Sequence, residues 1–169
     1  MAQLFVNRMP CLYISIICVL LVVEISQKRG ASVKIGYCIA AHAHRARVWA
    51  AVAESARSGM DRCISLHSLA ETFAVLSALP IYPRISADQA MFLIEKAILQ
   101  NFFTVPLSVG AYRQAMIDVA RAGRGGGAMY DALILQAARN VGASRLYTFN
   151  DKHFQPLLRD GEPLRVICP

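Results

Sequence analysis

The sequence predicts an α/β fold with a central, mostly parallel sheet. Three observations lead there. Short apolar runs at residues 62–66, 103–107, 145–149 and 164–168 alternate with helix-patterned segments of about ten to fifteen residues, the pattern of a parallel sheet flanked by helices. Two of those segments open on a serine with Glu or Gln three residues on, the spacing of a capping box: Ser68 with Glu71, and Ser86 with Gln89. The length, 169 residues with 56% hydrophobic, suffices for one domain with a full core.

The elements follow in order. Residues 11–23, CLYISIICVLLVV, are uncharged and almost wholly apolar, with Arg8 before them and Glu24, Lys28 and Arg29 after. A transmembrane helix needs about twenty apolar residues, so this run is short for one. Three readings stand: an anchoring or non-native extension, a buried strand or helix rich in β-branched residues, and a signal-peptide core without a cleavage site close behind it. Residues 43–58 are alanine-rich and helical, ending at Gly59. The strand 62–66 leads into a helix at 67–79, where Leu69, Phe73, Leu76 and Leu79 recur at helical spacing and Pro80 and Pro83 stop it. Ser86 opens the next helix. Ser108 caps another, over roughly 109–122. The connector GRGGG, 123–127, lacks the Lys-Ser/Thr of a phosphate-binding loop and reads as a tight backbone turn before the helix AMYDALILQAARN. Strands at 145–149 and 164–168 close the chain.

A net charge of +7 favours polyanions such as RNA, DNA or an acidic membrane, and equally suits a plain solvated surface. Cys11, Cys18, Cys38, Cys63 and Cys168 contain no C-x-x-C pair and are odd in number, which argues against a disulfide framework and for a reducing, cytoplasmic setting. Cys38 and Cys63 read as small buried hydrophobes. The four histidines, His42 and His44 among them, show no zinc spacing and read as surface or capping residues.

The acidic residues fall on this map in an informative way. Glu71 lies in the first turn of the helix after strand 62–66, Asp131 in the first turn or two of the helix after the glycines, and Asn150 and Asp151 just past strand 145–149. In a parallel sheet the Glu71 and Asn150/Asp151 positions share the carboxyl edge, where such sheets bind ligands. A group of ionised oxygens there suits a hard divalent cation, Mg²⁺ or Mn²⁺, able to activate water against a phosphodiester. Blander readings stand beside this one. Glu71 could complete a capping box, Asp131 could complement the helix dipole, and Asn150-Asp151 could mark a turn. Arg124, Arg139 and Lys152 are candidate phosphate contacts, or ordinary solvated charges.

The segments AETFAVLSALP, YDALILQAA and LYTFNDKHF, in this order and spacing, resemble the PIN domain, and more closely the VapC-type ribonuclease toxins of bacterial toxin–antitoxin pairs. The resemblance spans about residues 30–160. It implies a PIN-like three-layer α/β/α sandwich over 30–169, with 1–29 an atypical hydrophobic extension. It implies a metal-dependent endoribonuclease using Mg²⁺ or Mn²⁺, with Glu71, Asp131 and Asn150 as catalytic and metal-holding residues, Thr148 nearby, and Asp151 able to substitute for Asn150. It further implies an RNA substrate, a cognate antitoxin and a homodimer; a membrane partner would act only through residues 11–23. The sequence departs from the family at the first strand. That strand should end in Asp followed by a T-S-V-like stretch, and the matching residues here are Gly30-Ala31-Ser32-Val33. With Gly30 in place of the aspartate, the activity is expected to be impaired. The alternative is a catalytically inactive module that binds RNA or an antitoxin.

Overall fold

Strands β1 (Val23–Ile25), β2 (Asp61–Ser65), β3 (Phe103–Val105), β4 (Arg145–Tyr147) and β5 (Arg165–Ile167) form one sheet in the order β3-β2-β1-β4-β5. The computed structural model describes residues 23–25, 45–80 and 82–169. The expectations for Gly30–Val33, for most of the apolar run 11–23, and for Cys11, Cys18, Cys38, His42 and His44 lie outside the described residues.

β2 pairs in parallel with β3, and β4 with β5. β1 pairs antiparallel with both β2 and β4. Two strands antiparallel to the same neighbour run in the same direction, so β2, β3, β4 and β5 share one carboxyl edge and only the central strand is reversed. The expected strands are present but shorter: 61–65, 103–105, 145–147 and 165–167. Three of the residues assigned to the N-terminal extension pair within this sheet, Val23 opposite both Cys63 and Leu146.

The helices are α1 (Arg45–Arg57), α2 (Leu66–Ala78), α3 (Ala87–Ile94), α4 (Val109–Arg121), α5 (Ala128–Asn140) and the short α6 (Asp151–Phe154). A serine side chain caps the start of three of them, α2, α3 and α4. Ser86 makes the full capping box with Gln89, and the Ser108 hydroxyl accepts the Ala111 N–H. α3 continues as a π-helical turn, Glu95–Leu99, whose free carbonyls at Lys96 and Ala97 accept from the Asn101 amide at 3.0 and 3.1 Å. In the glycine connector Gly123 and Gly126 take φ of +62° and +55°, the left-handed region that L side chains resist.

One cap differs from expectation. α2 begins at Leu66, directly off the strand, and its N-cap is Ser65, not Ser68. The Ser65 hydroxyl accepts the Ser68 N–H at 3.0 Å and lies 2.9 Å from the Ser68 hydroxyl. The cause is the strand ending one residue earlier than its apolar run, so that both serines are buried at the strand–helix junction. Glu71 therefore sits in the second turn of α2, out of reach of any capping box.

Apolar residues divide between two core clusters. Along β2, Cys63 belongs to one and Ile64 to the other; Leu146 and Tyr147 of β4 divide the same way. The first cluster is filled by α4, α5 and Phe154, and the second by α1, α2 and α3. This is the period-2 alternation of strands whose two sides both meet apolar neighbours.

Candidate functional site

The acidic residues sit on two helices that follow strands at the carboxyl edge and at the start of α5, which follows α4. β2 passes straight into α2, whose second turn presents Glu71. β4 passes through Thr148 and Phe149 to Asn150, which precedes α6. The first turn of α5 brings Asp131.

Asp131 is 8% exposed. Burial pushes its pKa up to about 6; the His153 ring, by charge and hydrogen bonding, pulls it down, and the Glu71 charge pushes it up again. Glu71 and Asp131 are thus close enough to feel each other's charge. His153 Nδ1 lies 3.6 Å from Asp131 Oδ2 and 2.9 Å from the Asn150 side-chain amide. These contacts compete for one nitrogen. Asn150 is itself positioned by its backbone N–H, which donates to the Thr148 hydroxyl at 3.1 Å. Thr148 is 1% exposed, and its own N–H donates to the Ile167 carbonyl of β5.

The structure therefore links Asp131 to Asn150 through the His153 ring, sets Glu71 near enough for its charge to act on Asp131, and ties the Asn150 backbone to Thr148. Among the described residues no hydrogen bond or ion pair ties the Asp151 side chain to them. Nor, among the described residues, do three His, Cys, Asp or Glu side chains form a group able to hold a metal ion.

Three side chains at this edge had no role in the sequence reading. His67 Nε2 lies 3.6 Å from Glu71 Oε1, and the His67 ring stacks on Tyr130 with centroids 5.0 Å apart. His153 is the third. The readable signal for His67 was its i,i+4 spacing to Glu71, one helix face. For His153 it was the three-residue step from Asn150. The reading of the histidines as surface or capping residues holds for the exposed His153, though it lies beside a carboxylate, and not for His67, which is partly buried.

Arg139 is not free for phosphate. It sits at the far end of α5 from Asp131 and makes a bidentate pair with Glu162, at 2.6 and 2.8 Å, and a further bond of 2.8 Å to Asp118. Arg159 Nη2 also donates to Asp118, at 2.8 Å. Asp118 is 1% exposed; burial alone would raise its pKa, but the Arg159 and Gln114 bonds and the two guanidinium charges hold it below the ordinary value. This buried network joins α4, α5 and the chain leading to β5. Arg124 and Lys152 remain exposed.

No family model matches the chain, and no curated protein and no solved structure matches it either.

Proposed function

We propose that this chain is a PIN-like domain, a three-layer α/β/α sandwich, acting as a Mg²⁺- or Mn²⁺-dependent endoribonuclease of toxin type. The observation that carries the reading is the pair of carboxylates, Glu71 and Asp131, held within each other's field at the carboxyl edge of the sheet beside Thr148 and Asn150. Two core clusters on alternate strand residues support the layered arrangement.

The donor set fits a hard divalent cation. Two repelling carboxylates, one of them largely desolvated, are relieved by a cation between them, and Mg²⁺ commonly takes one or two protein carboxylates and keeps several waters. Glu71 and Asp131 would hold the ion, with the Asn150 amide oxygen completing the set and Asp151 next to it in the chain. When bound, the ion supplies Lewis acidity toward the phosphodiester and a water of lowered pKa. The chain's own residues do the rest: Thr148 fixes the backbone of Asn150, Asn150 orients the His153 ring, and the net charge of +7 draws the RNA backbone in.

The test is a labelled RNA incubated with the purified chain and Mg²⁺ or Mn²⁺. Cleavage should be lost by about 100-fold or more in Asp131→Ala. If Asp131→Ala cleaves as well as the parent chain, the catalytic reading fails. The reversed central strand favours a second reading: the middle of the edge is occupied by the start of β1, at Val23, where a forward strand would deliver its last residue. In that case the domain binds RNA or a cognate antitoxin without cleaving, and Asp131→Ala leaves RNA affinity unchanged.

A further inference from the structure

Tyr130 immediately precedes Asp131 in the first turn of α5 and is 52% exposed. One face of its ring lies on the His67 imidazole, at 5.0 Å between centroids and 19° between planes. His67 is in turn fixed on α2. Its side chain is 19% exposed, and its buried Nε2 faces Glu71. With one face covered, the surface Tyr130 shows to solvent lies on its other face and its edge.

A large aromatic ring, backed by a second ring and adjoining a phosphodiester-cleaving site, is suited to receive a flat partner. Base–aromatic stacking tolerates any sequence because every base has a π face. Bases inside a duplex have both faces covered by their neighbours, whereas unpaired bases can splay onto a protein ring. The net charge of +7 attracts both forms of RNA alike. The stack does not. Resting on the hydrolase reading above, we infer that Tyr130, backed by His67, is a stacking platform for an unpaired base next to the Asp131 carboxylate.

The full chain is titrated, in Ca²⁺ to hold off cleavage, into a fluorescein-labelled single-stranded RNA oligonucleotide and into the same oligonucleotide annealed to its complement. The single strand should bind more tightly than the duplex. Tyr130→Ala should weaken single-strand binding about tenfold, and Tyr130→Phe should stay within about twofold of the parent. Tyr130→Trp should show fluorescence quenched by added single strand beyond the quenching of the parent chain, whose one tryptophan is Trp49. That variant decides the matter if Tyr130→Ala does not fold by circular dichroism. Equal affinity for Tyr130→Ala, equal binding of duplex, or no quenching in Tyr130→Trp overturns the platform. RNA cleaved in Mg²⁺ with the same KM by parent and Tyr130→Ala removes the platform and leaves the hydrolase. A parent chain that neither binds nor cleaves RNA removes the hydrolase reading and the platform with it.

Discussion

At Asp131 the fold keeps an acid where water is scarce. Its pKa of about 6, raised by burial, opposed by His153 and raised again by Glu71, means that the folded chain binds a proton more tightly than the unfolded one. Such a group favours folding fully below its unfolded value and loses that contribution as pH rises through about 6. By pH 7 the ionised carboxylate costs on the order of 3 kcal/mol. Asp131→Asn should therefore stabilise the protein by about that much in urea unfolding at pH 7 and make little difference near pH 4. A variant less stable than its parent at pH 7 would show that the charge supports the fold. Stability given up in this way is common where a residue serves chemistry. Asp131 itself was visible in the sequence as a lone carboxylate heading an apolar helix. Glu71 was legible as its partner through the order of strands and helices and the family likeness; His153 was not, because it comes from the connection after another strand.

Among the elements, α2 and the Asp118 network show what local pattern can and cannot convey. Ser86 and Ser108 are legible as caps, since each is a lone serine before a periodic run. Ser65 and Ser68 are three apart and both polar, so spacing alone favours the one with a glutamate ahead of it. The choice was settled by where β2 stops. Ser65→Ala should cost about 1 kcal/mol, measured by thermal or urea unfolding, and Ser68→Ala less, because only Ser65 caps the helix. The network is the opposite case: the Gln114–Asp118 and Arg159–Glu162 pairs are local, but Asp118, Arg139 and the Arg159–Glu162 turn are at least twenty residues apart, and nothing local announces their meeting. Removing Asp118 leaves the guanidinium groups of Arg121, Arg139 and Arg159 without their shared buried anion. Asp118→Ala should destabilise by about 3–5 kcal/mol, and Arg124→Ala, an exposed charge on the connector, by less than about 0.5. Equal losses in the two would mean that the network contributes nothing particular.

For the whole molecule, these acids set opposing slopes. Asp118 and Glu162 have pKa values held below their ordinary ones by arginine, so their contribution is full above the unfolded values and fades only as pH falls through the folded ones. Asp131 acts in reverse. The melting temperature should then peak near pH 5, and the peak should broaden toward neutrality in Asp131→Asn; a maximum above pH 7 in the parent would contradict this. Burial also pushes the Cys63 thiol up to about 12, whereas Cys168 is exposed. Brief alkylation followed by mass mapping should mark Cys168 and spare Cys63 until the chain unfolds. The alternation of strands and helices was legible because each run carries its own period. The direction of β1 was not, since three apolar or mixed residues pair equally well either way. Its place has a kinetic meaning. Among the described residues β1 is the only bridge between β2 and β4 in the strand order, so in this sheet the pairs β3-β2 and β4-β5 join through a segment from near residue 23 laid between them. A chain beginning at residue 45 would be left with two raw strand edges facing one another across a gap, and such edges recruit strands from other molecules.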